Sequence, residues 1–249
     1  MNTLPLTIDG GATGAENMRR DVTLLQRCAR GEIAGAIRVY WFDPPCMSVG
    51  RMQPMSDVDV DACARAGIDV VRRPSGGRAV LHEHEVTYAV VCRSDDARFG
   101  GDVLTSCARI HHAVALGLRM LGVSATPRAA AFDGRSDALE TAALADCFAR
   151  PAAHELLDQH GAKLVGSAQA RLGGALLQHG SVLLAASRAA GFLRNAEGMA
   201  RAAPRPSSQG LRALSGLSLT PQRVAATLAG GFAEVPGVRC LTPHDDVLK

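Results

Sequence analysis

The chain has 249 residues, of which 47% are hydrophobic, 20% charged and 4% aromatic. This profile is typical of globular proteins and excludes a disordered or fibrous chain. With 27 basic and 24 acidic side chains the net charge is only +3, which argues against a dedicated nucleic-acid binder. A chain of this length can fold without disulfides. We predict a single domain over residues 1–249, with residues 200–249 either part of it or a small helical extension.

The seven cysteines are odd in number and scattered, without a CxxC pair. Unpaired thiols would be oxidised or mispaired in an oxidising compartment, so the sequence favours the cytoplasm. Residues 1–11 lack both a basic start and a long apolar run, and no later segment approaches about 18 uninterrupted apolar residues. We therefore expect neither export nor a membrane span.

Hydrophobic periodicity predicts the first half of the fold. Thr13 and Glu16 form a capping-box pattern that opens a helix over residues 14–30. No strand is predicted before the glycines of residues 9–14, which argues against a Rossmann nucleotide site. Strands are predicted over residues 37–42, 47–49, 68–73 and 79–92, the last two being separated by a glycine loop.

The second half begins with a long helix predicted from Asp102 to Gly122. An irregular segment follows over residues 124–146. The next elements are strands over 155–158, 163–169 and 175–184, a helix over 188–200, and a last helix that Thr220 and Pro221 open. Strands come in consecutive groups, so we predict an α+β fold with a mixed or largely antiparallel sheet flanked by helices.

The glycine loop at residues 72–78 reads Arg-Arg-Pro-Ser-Gly-Gly-Arg. Paired glycines let backbone N–H groups approach a ligand, and the arginines can hold an anionic or carbonyl-bearing group. A β-turn with solvated arginines is the commoner explanation of such a loop. His82 and His84 would share a face of a strand, but a third ligand is not evident, so packing or hydrogen bonding by His82 is favoured over a metal site.

Two residues are candidates for covalent chemistry. Cys147 follows the irregular segment, whereas Cys28 and Cys107 fall in predicted helices and Cys92 in a predicted strand, where a small buried thiol is the usual explanation. Lys163 opens the segment KLVGSAQ, in which Gly166, Ser167 and Ala168 leave room for a ligand against the backbone. On local pattern alone, a packed cysteine and a surface lysine at a strand edge remain open alternatives.

Several segments together resemble the lipoate/biotin protein ligase and octanoyltransferase superfamily, and within it they look most like the LipM-type octanoyltransferases. The matching segments are Glu16-Asn17-Met18, Ser48-Val49-Gly50-Arg51 with Gln53, RRPSGGRAVLHEHEVTY at residues 72–88, Asp146-Cys147-Phe148, KLVGSAQ at 163–169 and LQHGSVLL at 177–184. The resemblance covers about residues 14–185 in the family's order. It implies the superfamily's catalytic-domain fold, with an acyl pocket built from the RRPSGGRAVLH loop and the KLVGSAQ strand.

The resemblance also implies roles for individual residues. Cys147 would be the acyl-accepting nucleophile and Lys163 its partner, which would favour the thiolate and move protons. The predicted substrate-binding residues are Arg72, Arg73, Ser75, Gly76, Gly77, Arg78, Val80, His82, Gly166, Ser167, Ala168 and His179. Backbone N–H groups of Gly76 and Gly77, or of Gly166 and Ser167, would stabilise the oxyanion, and the sequence does not choose between them.

The implied reaction moves an octanoyl group from acyl carrier protein, through a cysteine thioester, to a lysine of a lipoyl domain. The acceptor would be a glycine-cleavage H protein or a 2-oxoacid dehydrogenase E2 protein. A thioester donor is already activated, so no cofactor is expected, nor any metal, nucleic-acid or membrane partner. The alternatives are an ATP- and Mg-dependent lipoate or octanoate ligase on the same fold, and a non-catalytic protein that binds acyl groups or lipoyl domains.

Carrier proteins and lipoyl domains are typically acidic, and electrostatic complementarity assists such encounters. The basic residues expected to suit both partners are Arg19, Arg20, Arg72, Arg73 and Arg78.

Overall fold

The structure is a computed structural model that describes residues 3–127, 155–194 and 209–241. The strands in these ranges are β1 Leu4–Ala12, β2 Gly35–Phe42, β3 Cys46–Val49, β4 Asp69–Arg72, β5 Val80–His82, β6 Glu85–Arg93, β7 Thr126–Pro127, β8 Leu156–Leu157, β9 Lys163–Leu172, β10 Ala175–Leu183 and β11 Val238–Cys240. The α-helices are α1 Gly14–Ala29, α2 Val60–Arg65, α3 Val103–Arg119, α4 Gly210–Ser215 and α5 Pro221–Ala233. Two short 3-10 helices span Met55–Asp57 and Ala189–Phe192.

Two sheets organise the described residues. The larger sheet has eight strands in the order β11-β1-β2-β6-β10-β9-β8-β7. Strand β1 runs parallel to β11 and β2, while the other neighbouring pairs in this sheet are antiparallel. A smaller sheet has the order β4-β3-β5. The predicted α+β fold with a mixed, largely antiparallel sheet flanked by helices is confirmed.

Each face of the large sheet is covered by helices because side chains alternate along its strands. In β2, Ile37 and Val39 belong to the main core with α3 and α5, whereas Tyr40 and Phe42 belong to the core under α1. A third core lies between the small sheet and α2 and includes Met47, Val49 and Cys63. The space where the α1 face of the large sheet meets the small sheet contains the candidate site.

Helix starts agree well with the sequence pattern. Thr13 accepts a hydrogen bond from the Glu16 N–H at 3.2 Å, and Asp102 accepts one from the Thr105 N–H at 2.7 Å. Thr220 caps α5, which begins with Pro221. A side-chain acceptor at the cap satisfies one of the backbone donors that a helix start leaves unpaired.

Strand β1 corrects the expectation that no strand precedes the glycines of residues 9–14. It pairs in parallel with β2, and its register shifts between Ile8 and Gly10. Proline, aspartate and glycine interrupt the apolar pattern of this segment, so alternation alone does not reveal the strand. A mixed sheet order, rather than a missing strand, now separates this fold from a doubly wound one.

Two further predictions need correction. The strand predicted over residues 79–92 divides into β5 and β6 at a tight turn formed by Glu83 and His84. The helix predicted over 188–200 is wrong in its described part, where a single 3-10 turn is followed by a bridge between Leu193 and Val58. The predicted irregular segment extends into residues 128–154, which lie outside the described ranges. The domain boundaries stay a prediction.

Among the described residues, most cysteines are buried. Cys28, Cys46, Cys63 and Cys92 lie in the cores, whereas Cys240 is exposed. Burial raises the pKa of each of the four buried thiols, to about 12 for Cys46. Within the described ranges, no helix is both long and apolar enough to cross a membrane.

Candidate active site

A cavity of about 350 Å³ lies between the large sheet, α1 and the small sheet. Met18, Tyr40 and Phe42 supply much of its apolar and aromatic wall. Of the predicted substrate-binding residues, those that line it are Arg73, Val80, His82, Gly166, Ser167, Ala168 and His179. Segments far apart in the sequence therefore meet at one cavity, although their role in binding stays a prediction.

One wall of the cavity is held by a buried chain of hydrogen bonds. His179 Nδ1 lies 3.0 Å from Asp21 Oδ2, and His179 Nε2 lies 2.5 Å from Ser75 Oγ. A carboxylate can only accept, so in the neutral ring Nδ1 donates to Asp21 and Nε2 accepts from the Ser75 hydroxyl. This chain fastens the glycine loop to β10 and links both to α1.

Asp21 stays charged in spite of complete burial. Burial by itself would raise its pKa, but Arg38, His179 and Tyr40 outweigh that effect and hold the pKa below its ordinary value of 3.8. Arg38 Nη1 donates to Asp21 Oδ1, and Tyr40 Oη donates to Asp21 Oδ2 at 2.9 Å. Arg38 also donates to Asp9 Oδ2 at 2.6 Å, so its guanidinium bridges α1, β1 and β2.

A second polar chain lies at the small sheet. Ser48 Oγ is 2.8 Å from His82 Nε2, and Ser181 Oγ is 3.2 Å from His82 Nδ1. The ring of Phe42 stacks on His82 with centroids 3.9 Å apart. Burial lowers the pKa of His82, against the opposing effect of the nearby Glu85 carboxylate. His82 is therefore a neutral, fixed part of the cavity wall.

The glycine loop is shaped by Arg73, which is 4% exposed. Its guanidinium donates to the carbonyl oxygens of Ser48, Gly76 and Arg78 at 2.6–3.0 Å. This side chain is therefore a support of the loop as well as a part of the cavity wall. Among the described residues, no oxygen accepts from the N–H of Gly76 or Gly77, so both donors are open to a ligand.

The remaining loop residues lie outside the cavity lining. Arg72 is exposed and holds a neighbouring loop, Ser75 is fully buried, and Arg78 is half-buried. Gly77 has φ +86°, a left-handed conformation that favours glycine. The structure thus separates the predicted loop residues into supports of the loop and groups that border the cavity.

Lys163 is buried at the start of β9 and does not line the cavity. Its Nζ lies 2.6 Å from Glu155 Oε1, and both side chains are almost fully enclosed. A buried ion pair of this kind fixes the position of the ammonium group, because either charge alone would be costly to bury. Its predicted partner Cys147 lies outside the described residues, so the distance between them stays undetermined.

Ser167 joins the cavity to a polar group on the α3 face of the sheet. Its hydroxyl lies 2.6 Å from Tyr88 Oη and 2.7 Å from His111 Nε2. His111 lies on α3 and is fully buried. Gly180 faces this group, because a Cβ there would lie 2.5 Å from Ser167 Oγ.

Sequence reasoning missed Asp21, Arg38 and Ser48. A signal existed for Asp21, since Asn17 and Asp21 are one helical turn apart and lie next to the apolar stripe of α1. Polar residues beside a core-facing stripe are buried only when they are paired, so they mark a polar contact within the core. Ser48 falls within a segment that resembles the family, although no role was predicted for it. No comparable signal marks Arg38, because strand alternation does not separate a paired polar residue from an exposed one.

Chemically, the cavity offers an apolar slot with neutral hydrogen-bonding groups along its wall. Such a slot suits an aliphatic chain, while the free N–H groups of Gly76 and Gly77 suit a carbonyl oxygen or an oxyanion. His82 and His84 do not form a metal site, since one is buried in β5 and the other is exposed in a turn. Within the described ranges, no group of three or more His, Cys, Asp or Glu residues could hold a metal ion.

The sequence matches the family described as "Lipoyl protein ligase A/B catalytic domain" over residues 13–233. An octanoyltransferase LipM from Kyrpidia tusciae is 39% identical over 246 residues, which cover 96% of this chain and 89% of that protein. An octanoyltransferase LipM from Carboxydothermus hydrogenoformans is 39% identical over 174 residues, which cover 69% of this chain and 61% of that protein. The second match thus spans about three fifths of the relative's length.

Solved structures are similar in fold. A bipartite lipoate protein ligase from Thermoplasma acidophilum matches with a TM-score of 0.67 at 20% identity, over 98% of this chain and 88% of that one. A lipoate-protein ligase A bound with ATP matches with a TM-score of 0.68 at 21% identity, over 98% and 90% of the two chains. At these identities the likeness concerns the fold alone.

Proposed function

The chain belongs to the family of lipoyl protein ligase A/B catalytic domains, and from that premise we propose that it is an octanoyltransferase of protein lipoylation. One observation carries the proposal above the others, namely 39% identity over 96% of the chain to a relative named octanoyltransferase LipM. The acyl donor is an octanoyl thioester of acyl carrier protein, and the acceptor is a lysine of a lipoyl domain. Neither step consumes ATP, because the thioester is already activated.

Cys147 carries the octanoyl group between the two partners. In the first step its thiolate sulfur attacks the thioester carbonyl carbon, a new carbon–sulfur bond forms, and the carrier's thiol leaves and takes a proton. In the second step the neutral amine of the acceptor lysine attacks the enzyme thioester. An amide forms, the amine gives up a proton, and the Cys147 thiol is restored.

The cavity receives the octanoyl chain. Its wall includes the apolar side chains of Met18, Phe42 and Val80, which suit an aliphatic chain. Each buried methylene contributes about 0.8 kcal/mol, so an eight-carbon chain gains several kcal/mol and its length is selected by the depth of the cavity. Gly166, which pairs with Ser181 across β9 and β10, keeps the space clear on β9 by having no side chain.

The groups that we assign to charge development lie outside the cavity lining. Lys163 supplies a fixed ammonium that favours the thiolate of Cys147 and exchanges protons during attack by the amine. Glu155, which holds that ammonium, stands shortly after Cys147 in the chain. The unengaged N–H groups of Gly76 and Gly77 are the donors that we assign to the oxyanion.

The proposal is tested by incubating the purified chain with octanoyl-acyl carrier protein and measuring its intact mass. We expect one octanoyl adduct on the wild-type chain and none on Cys147→Ala. The matched control is Cys240→Ala, which removes an exposed thiol and leaves the adduct in place. Lys163→Met is expected to slow adduct formation by at least tenfold.

A wild-type chain that stays unmodified by the octanoyl carrier would refute the transferase. So would Cys147→Ala that still modifies a lipoyl domain in the presence of octanoate, ATP and Mg, because that result identifies an ATP-dependent ligase.

A further inference from the structure

A short loop beside the glycine loop, residues 50–53, is held by several hydrogen bonds. Arg72 Nη1 donates to the carbonyl oxygens of Gly50, Arg51 and Gln53 at 2.7, 3.0 and 2.9 Å. The Arg51 N–H donates in turn to the Ser75 carbonyl at 2.8 Å. Residues 50–53 and the glycine loop are therefore one connected unit next to the cavity.

Two arginines of this unit, Arg51 and Arg78, come from neighbouring positions of the backbone. Gly50 and Gly77 are in direct contact, because a Cβ added to Gly50 would lie 1.9 Å from the Gly77 carbonyl oxygen. Arg51 directly follows Gly50 in the chain, and Arg78 directly follows Gly77. Within the described ranges neither arginine takes part in an ion pair.

The other arginines of the region are committed elsewhere. Arg19 and Arg20 both pair with Glu16, and the groups of Arg73 are buried against carbonyl oxygens. Arg51 and Arg78 lie in the chain within three residues of Ser48 and Val80, which line the cavity. A guanidinium without a carboxylate partner is open to an anion from outside.

The loop also exposes apolar surface. Met52 is 82% exposed and Met55 is 39% exposed, although both are large apolar side chains. Methionine is common on surfaces that bind proteins, because its flexible thioether adapts to the partner. Because Arg72 already fixes the backbone of residues 50–53, that backbone loses little conformational entropy when a partner binds.

We propose that Arg51 and Met52 form the docking surface for the acyl-donating carrier protein, an inference that rests on the proposed octanoyl transfer. The thioester of such a donor sits at the end of a pantetheine arm joined to the carrier through a phosphodiester. Arg51, assisted by Arg78, binds that phosphodiester, and Met52 contacts the carrier protein beside it. The lipoyl-domain acceptor carries no such phosphodiester, so an anion site on this loop matches the donor.

Three donors of increasing size separate these contacts: octanoyl-pantetheine, octanoyl-phosphopantetheine and octanoyl-acyl carrier protein. For each, the rate of acyl-enzyme formation is measured by intact mass on the full chain. Arg51→Gln is expected to lower the rates with the phosphopantetheine and carrier donors at least tenfold relative to the pantetheine donor. Met52→Ser is expected to lower only the carrier rate, by about threefold or more.

The matched control is Arg119→Gln, which removes an exposed arginine at the end of α3 and should leave all three ratios unchanged. The salt dependence of the carrier reaction should also be smaller in Arg51→Gln than in the wild type.

Equal loss with all three donors would overturn the docking surface, because it places the residue in the chemistry or in folding. Unchanged ratios in both variants would overturn it as well, while leaving the transferase intact. A variant that is acylated normally but passes octanoate to a lipoyl domain more slowly would assign the surface to the acceptor and reject the donor. A wild-type chain acylated by none of the donors would refute octanoyl transfer and this inference together.

Discussion

Burial opposes a positive charge on the His82 ring more strongly than the nearby Glu85 carboxylate favours one. His82 is 6% exposed, it stacks on Phe42, and the Arg73 guanidinium lies close enough to lower its pKa further. Burial is the largest of these effects, and the resulting pKa lies below the ordinary value of 6.5. The folded protein therefore holds a neutral imidazole where the unfolded chain would hold a protonated one in mild acid.

This environment predicts a loss of stability in mild acid. A depressed folded-state pKa means that the unfolded state binds more protons below pH 6.5, so stability falls as the pH drops from that value toward the folded-state pKa. Each unit of difference between the two pKa values corresponds to about 1.4 kcal/mol. Thermal melts between pH 7.5 and pH 5 should show this slope in the wild type and a shallower slope in His82→Gln.

His84→Gln is the matched control, since His84 is exposed in the adjacent turn. It should keep the wild-type slope. A full wild-type slope in His82→Gln would show that other groups govern stability in this range.

Site residues that belong to a sequence motif could be predicted. Site residues that are buried because they pair with a distant residue were harder to predict. The motifs brought Arg73, His82 and His179 to attention, and the structure places them at one cavity. Asp21 lies more than 150 positions from His179 in the sequence, and their contact depends on how α1 crosses β10. Local pattern contains no information about such a crossing, and the segment of α1 that resembles the family ends at Met18, before Asp21.

Helices α3 and α5 cross at glycines with almost no space between their backbones. A Cβ added to Gly231 would lie 2.3 Å from the Gly117 nitrogen, and one added to Gly117 would lie 2.6 Å from the Thr227 carbonyl oxygen. This close approach brings Phe232 to within 5.8 Å of Tyr88, measured between ring centroids. The crossing therefore supports the strand that lies next to the cavity strand β10.

Gly231→Ala should force the two helices apart. Overpacking of this kind typically costs about 1–3 kcal/mol, and it should exceed the gain of about 1 kcal/mol that alanine brings to a helix. Gly230→Ala is the matched control, because its new methyl group would meet only the flexible end of Met120 at 3.1 Å. In thermal melts Gly231→Ala should fall below the wild type by several degrees, and Gly230→Ala should equal or exceed it.

A Gly231→Ala chain as stable as Gly230→Ala would mean that the helices accommodate the methyl group by moving.

Elements were predictable when their ends carry a chemical signal, as α1, α3 and α5 show with their side-chain caps. Strand β1 was not, because its residues Pro5, Asp9, Gly10 and Gly11 are individually unfavourable in strands and only pairing with β2 and β11 stabilises them.

The two ends of the described chain meet at one edge of the large sheet. Leu4 pairs with Val238, and the Leu241 N–H donates to the Leu6 carbonyl at 2.8 Å. Between them α5 contributes Val224, Leu228 and Phe232 to the main core, all fully buried. The last described segment is thus packed into the same core as the strands that carry the cavity.

A chain shortened to residues 1–218 should therefore fail to fold cooperatively, since it would expose the side of the core that α5 covers. Loss of a single buried leucine or phenylalanine typically costs about 2–5 kcal/mol, and here several are removed at once. The comparison is the full chain, with circular dichroism as the measurement. A cooperative melt of residues 1–218 near the full-length midpoint would instead mark residues 200–249 as a separate extension.

For the molecule as a whole, the sequence predicted the fold class but not the order of the strands in the large sheet. Grouped strands predicted a mixed sheet, which is confirmed. The order of its strands, with β1 between β11 and β2, depends on contacts between residues more than 200 positions apart. Resemblance to a known family supplied that information indirectly, and periodicity could not.

The four buried thiols can report which parts of the folded protein open first. Cys28, Cys46, Cys63 and Cys92 are shielded from water and held in the protonated form, which alkylating reagents attack slowly. These sulfurs are distributed over α1, β3, α2 and β6, so each reports on a different region. Pulse alkylation along a denaturant series, followed by peptide mapping, would reveal the sequence in which those regions open.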